Sequence, residues 1–318
     1  MIVDERSAAV GYVDLQVNGY AGVDFNADDL GDEALHGACA QLHADGVTSC
    51  LATIITDDLG AMCRRLARLA ALRAIDPLVA RVIAGIHIEG PFLNETDGFR
   101  GAHPADAIRP ATRDAMAQLL DAAAGLTRLV TLAPERDAGL AVTRMLVNDR
   151  IVVSAGHTDA TLDQLRAAIA AGLSMFTHVG NGCPRQMDRH DNIVQRMLSL
   201  AHHVWLTFIA DGAHVPYFAL ANYLRAAGMN RCIVVSDAMA AAGLGPGQYR
   251  LGRWDLVVGD DLAAWAPDRS HLVGSAMTMR ESARRLREAL GLGEEAIADL
   301  TRENASELLR ATRRHEDT

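Results

Sequence analysis

Six ionisable side chains interrupt otherwise apolar runs where β-type segments end: Glu89 in GIHIEGP, Glu135 in LAPE, His157 in SAGHT, His178 in FTHVGNG, His214 in ADGAH and Asp237 in VSDA. Two imidazoles and a carboxylate from successive segments form a donor set that binds a divalent transition metal while leaving a position open for water. Glu89, His157 and His178 are therefore candidate metal ligands. Asp237 suits a different task. A carboxylate beside an activated water can take its proton and later give it to a leaving amine. Glu135 is expected to close a hydrogen bond at the rim and to stand outside the catalytic set.

For these residues to meet, the segments that carry them must converge. Apolar and β-branched runs at 10–17, 47–55, 81–88, 127–132, 151–154, 173–177, 204–209 and 232–235 alternate with helical patterns such as 59–73, 162–171 and 218–227. That alternation marks βα units around a parallel sheet. About eight strands is the number that a (β/α)8 TIM barrel requires, and in that fold the C-terminal strand ends share one mouth, where catalysis resides. The fold class is thus α/β, with residues 1–318 forming a single barrel domain without repeat or linker. Two segments break the rhythm. The stretch 91–110 is longer than an ordinary βα connection and is a candidate lid. The stretch 245–271 has turn dipeptides between short alternating runs and predicts a β-hairpin excursion. The charged tail 312–318 is expected to fray.

Composition narrows the chemistry. All 30 residues in the Lys+Arg count are arginine. The lack of any lysine excludes a Schiff-base lysine, a P-loop lysine and a lysine carboxylate bridging two metals, since each needs a primary amine. Five scattered cysteines without a CxxC pair read as reduced thiols. A formal charge of −10 with no basic block argues against nucleic acid and anionic membrane as partners. The first residues lack the apolar core of a signal peptide and no later run is long enough to span a bilayer, so the cytoplasm is the expected compartment.

The ordered motifs DLQVNGYAGVDF, GIHIEGPFLN with GAHP, LAPE, SAGHTDAT, THVGNGCP, FIADGAHV, VSDAMAAAG and GSAMTM resemble those of the N-acetylglucosamine-6-phosphate deacetylases of the amidohydrolase superfamily. The resemblance spans almost the whole barrel. It implies Glu89, His157 and His178 as metal ligands and Asp237 as catalytic acid/base. It further implies His103 as a contact to the acyl carbonyl or sugar, and Asn181, Gly182, Arg189 and His214 as positions that bind the sugar phosphate. Backbone N–H groups at Asn181 and Gly182 with an arginine fork nearby suit a phosphate dianion. Where many amidohydrolases hold a second metal with HxH, this chain has Gln16 and Asn18, and neither amide is a good transition-metal ligand. One divalent ion per subunit is therefore expected, zinc first, with iron and other divalent metals suited to the same donors.

The chain departs from the family in two places. It enters the first strand within about ten residues and ends on a helical pattern, so the family's accessory β-sandwich is expected to be absent or much reduced, and a homodimer is the expected assembly. After Arg189 it reads HDN where the family has a Glu-Pro-Gly run, so His190 and Asp191 are expected to reshape the phosphate end. The function implied is hydrolysis of the N-acetyl amide of an amino-sugar phosphate, with N-acetylglucosamine-6-phosphate giving glucosamine-6-phosphate and acetate. The alternatives are an amidohydrolase for a different N-acyl or cyclic amide, and a non-catalytic homologue that binds an amino-sugar phosphate.

Overall fold

The computed structural model describes residues 11–251, 254–269 and 272–311; the expected frayed tail at 312–318 lies outside them. Eight parallel strands follow one another around a barrel: β1 (Tyr12–Val17), β2 (Val47–Ile55), β3 (Ile83–Glu89), β4 (Thr127–Leu132), β5 (Val152–Ala155), β6 (Met175–Phe176), β7 (Trp205–Ile209) and β8 (Cys232–Val235). Helices run between them, begun by side chains suited to the task. Asp58 accepts the N–H groups of Gly60 and Ala61 ahead of the helix Leu59–Ile75, and Thr161 forms a reciprocal capping box with Gln164 ahead of Leu162–Ala170. Several strand boundaries shift by one or two residues from the sequence reading, and at β3 the shift has a clear cause. Arg81 and Val82, expected in β3, belong to a short helix, Pro77–Val82, because Asp76 caps Leu78 and Val79 and Pro77 fits the first helical turn.

The barrel interior is stratified. At its lower end Val13, Leu51, Leu129, Val152, Met175 and Ile233 pack against Leu308 and Leu309 of the last helix, which plugs that end. Above them lies a buried polar layer in which Ser154 Oγ meets Thr177 Oγ1 at 2.6 Å, Thr177 meets Thr131 at 2.7 Å, and Thr131 meets His87 Nε2 at 2.8 Å. Burial pushes the His87 pKa down to about 4, so the ring is neutral and joins this layer as one donor and one acceptor without bringing a charge into the core. Glu89 stands two residues beyond His87 on the same strand face, one layer higher.

Closure of the barrel rests on polar side chains as well as backbone. Asp14 on β1 accepts the N–H of Ser236 at 3.2 Å and its hydroxyl at 2.5 Å, just past the end of β8. Asn18 N–H donates to Ala238 O at 2.7 Å, and Val17 and Ala238 form a parallel bridge. After β8 the chain forms an antiparallel sheet of four strands, β9 (Gly247–Leu251), β10 (Trp254–Val258), β11 (Ala263–Trp265) and β12 (Leu272–Ser275). This corrects the expected hairpin: two further strands, beyond the first turn, pair back and bring Ser275 beside Ala238 at the mouth. No helix among the described residues is long and apolar enough to cross a membrane.

Burial pushes the Asp14 pKa up to about 7 against its hydrogen bonds from Ser236. A carboxyl raised in the fold contributes stability that is complete below its unfolded pKa near 4 and is lost as pH rises through 7. Asp14→Asn should therefore gain stability relative to wild type between pH 4 and 8, by roughly 2–4 kcal/mol across that window. Urea midpoints at both pH values check this, and parallel pH curves for the two proteins would refute it.

Candidate active site

Glu89, His157 and His178 converge on one point. Glu89 Oε1 lies 3.2 Å from His157 Nε2 and 3.1 Å from His178 Nε2, and all three residues are buried. Donors held about 2.0–2.1 Å from a tetrahedral ion sit about 3.3 Å from one another, and both distances from Glu89 Oε1 match that spacing. The surroundings agree. His157 Nδ1 is 2.8 Å from Phe99 O, which makes Nδ1 the protonated nitrogen and leaves the Nε2 lone pair for a metal. Gln16 Nε2 donates to Glu89 Oε2 at 3.1 Å and leaves Oε1 to face the histidines. Burial alone would raise the Glu89 pKa, but the imidazoles of His157 and His178 against it hold it well below the usual carboxylate range. Burial pulls the His178 imidazole down, and the bond and charge of Glu89 more than reverse that.

The backbone is strained where these groups are presented. His157, His178 and Asp237 have φ of 51°, 33° and 48°, in the left-handed region that non-glycine residues seldom occupy. Each such residue costs roughly 1–3 kcal/mol. Each ends its strand by turning abruptly, so that the side chain points into the mouth instead of alternating across the sheet. Gly182 is needed for a related reason: at φ +59° a Cβ would lie 2.9 Å from His157 Nδ1, so only glycine lets the turn press against the His157 ring.

Asp237 lies in the same cavity, half-buried, with Oδ1 accepting Asn18 Nδ2 at 2.7 Å. Loss of solvation and then the charge of Glu89 raise its pKa. His103 reaches the metal set from the long loop, with Nε2 3.2 Å from His157 Nε2. Burial, then the charge of His157, push its pKa down to about 3, so it is neutral. The loop expected as a lid is anchored: Asn94 N–H bonds His157 O at 2.9 Å, and Glu135 accepts Asn94 Nδ2 at 3.0 Å and Asp159 N–H at 2.8 Å. Glu135 thus closes the rim.

Asn181, Gly182 and His214 line the cavity of about 800 Å³, and so does Arg185. Arg189 is exposed and is not among the lining residues. His190 and Asp191 also lie outside the lining. Asp191 instead pairs with Arg196 at 2.6 Å, and Arg196 bonds Asp159 at 3.0 Å, tying this turn to the loop that follows His157. The sequence reading missed Arg185, four residues before Arg189 in the same Gly-Cys-Pro turn. It also saw Gln16 and Asn18 only as non-ligands, whereas they hold the two carboxylates of the site.

A parallel barrel with a buried cluster of two histidines and a glutamate, and an opposed aspartate at its mouth, is the architecture of a metal-dependent hydrolase. The chain belongs to the N-acetylglucosamine-6-phosphate deacetylase family. It is 33% identical over 302 residues to the N-acetylglucosamine-6-phosphate deacetylase of Bacillus subtilis, covering 94% of this chain and 74% of that protein. It is 32% identical to the N-acetylgalactosamine-6-phosphate deacetylase of Escherichia coli O157:H7, with 91% and 75% covered. Among solved structures it superposes on an aspartate-to-alanine mutant of the Mycobacterium smegmatis N-acetyl-D-glucosamine-6-phosphate deacetylase in complex with N-acetyl-D-glucosamine-6-phosphate. That match has a TM-score of 0.83 at 32% identity and covers 94% of this chain and 77% of that one. No family model matches the chain.

Removing a ligand should empty the site while leaving the barrel folded. Glu89→Gln and His178→Ala are expected to lower bound metal to trace levels, and Gln16→Ala to weaken metal affinity by about 10–100-fold. Metal analysis of the purified variants checks this; full occupancy in the ligand variants would remove those residues from the set.

Proposed function

We propose that this protein hydrolyses the N-acetyl amide of an amino-sugar 6-phosphate, with N-acetylglucosamine-6-phosphate as the substrate, releasing acetate and glucosamine-6-phosphate. The observation that carries this reading is the convergence of Glu89, His157 and His178 on one point with Asp237 in the same cavity. Three of those four residues sit on backbone strained to present them. Family membership supplies the substrate class.

A divalent ion held by Glu89, His157 and His178, with zinc proposed, would supply an acidified water and a polarised amide carbonyl. The chain's own groups complete the chemistry. Asn18 holds Asp237 Oδ1, so Oδ2 is the oxygen that accepts the proton of the attacking water. The raised pKa of Asp237 makes it a better base than an exposed aspartate. The same Oδ2 then delivers that proton to the amine nitrogen as the C–N bond breaks. His103 offers an imidazole beside the metal set without adding a charge to it. The Asn181 N–H is already spent on His178 O at 3.0 Å, so the Gly182 N–H, together with Arg185 and His214, forms the end of the cavity suited to phosphate. The anionic substrate supports a cytoplasmic place of action, and a homodimer would cover the exposed Phe218.

The galactosamine epimer is a second reading, favoured by the similarity to the Escherichia coli N-acetylgalactosamine-6-phosphate deacetylase. Acetate release from the two phosphorylated epimers, run beside unphosphorylated N-acetylglucosamine, separates them. Turnover is expected only with phosphorylated sugars and faster with the gluco epimer. Asp237→Asn is expected to lower kcat by at least about a thousandfold with metal content unchanged. Turnover at wild-type rate in that variant would remove Asp237 as the base.

A further inference from the structure

Asp211 has no part in the chemistry above, yet its side chain is completely buried beside that of His214, which lines the cavity. One carboxylate there makes three bonds within a single turn. Oδ1 accepts the N–H of Ala213 at 2.9 Å and of His214 at 2.8 Å, while Oδ2 lies 2.6 Å from His214 Nδ1. The turn is built around this contact. Gly212, at φ +80°, has the Tyr217 ring 2.5 Å from where a Cβ would stand, and Tyr217 donates its hydroxyl to Ala210 O at 3.2 Å. Arg285 donates to Asp211 O at 3.3 Å and to Asp261 O at 2.9 Å, binding the turn to the four-stranded sheet.

We infer that Asp211 is a positioning residue that fixes the His214 ring and makes it a charge-assisted donor to the anionic end of the substrate. With Nδ1 committed to Asp211, Nε2 is the nitrogen left for the cavity that His214 lines. Only the imidazolium donates from both nitrogens, and that is the form in which His214 would bridge Asp211 and a phosphate. Burial alone would raise the Asp211 pKa, but its bond to His214 reverses this and keeps the carboxylate charged. The inference rests on the reading of a phosphorylated amino sugar.

The test uses Asp211→Asn, which keeps the size of the side chain and an oxygen for the two backbone N–H groups but removes the charge. The KM for N-acetylglucosamine-6-phosphate should rise roughly tenfold, the difference between a charged and a neutral donor, with kcat within about twofold. In a His214→Gln background the same substitution should add nothing further. A loss that falls on kcat and leaves KM unchanged, or effects of the two substitutions that simply multiply, would overturn the inference. Imidazole NMR with inorganic phosphate as the probe does not depend on the substrate being right. A low-field His214 Nδ1–H signal that shifts on phosphate addition, in wild type but not in Asp211→Asn, supports the positioning role even if no amino-sugar phosphate is turned over. Its absence from the wild-type protein would refute that role.

Discussion

The mouth of this barrel is organised around one carboxylate oxygen. Glu89 Oε1 faces two imidazole Nε2 atoms at 3.1 and 3.2 Å in a place from which water is largely excluded. A charge buried there is tolerable only if it is paired and hydrogen-bonded, and every neighbouring element contributes to that condition. Gln16 crosses from β1 to hold the second oxygen. Phe99 O, from the long loop, sets which nitrogen of His157 carries its proton. The neutral layer of His87, Thr131, Thr177 and Ser154 forms a polar floor without a competing charge.

The same constraint explains the strain. A strand that simply continued past β5, β6 or β8 would alternate its side chains between core and helix layer. Turning each strand end into the left-handed region at His157, His178 and Asp237 brings all three to one side. The energy stored there is offset by packing elsewhere, notably the apolar plug of the last helix, while the Asp14–Ser236 clasp joins β1 to the end of β8 directly beneath Gln16 and Asp237. Structure and reactivity thus share one seam, between β1 and β8.

The convergence of Glu89, His157 and His178, with Asp237 in the same cavity, was legible because an ionisable residue at the end of an apolar strand is conspicuous, and because a barrel brings such ends together. The partners of those residues were not. Gln16 and Asn18 have chemistry only relative to Glu89 and Asp237, residues 73 and 219 positions away, and no local pattern announces such pairings. Arg185 and Arg189 show the limit of reading by position: four residues apart and both exposed, only Arg185 lines the cavity. Asp191 was expected at the phosphate end, but Arg196, five residues on, captures it as an anchor. The hairpin became a four-stranded sheet because its later strands are short, three and four residues, below the length at which alternation shows. The Asp211–His214 pair, three residues apart, had a local signal in Asp-Gly-Ala-His that reading His214 alone passed over.

The most direct test of the metal site is X-ray absorption at the metal edge of the zinc-loaded protein. The expected spectrum shows one ion per chain with nitrogen and oxygen neighbours at about 2.0–2.1 Å and the multiple scattering of two imidazoles. A metal–metal vector at about 3.5–4 Å, or scattering from fewer than two imidazoles, would contradict a single ion held by Glu89, His157 and His178.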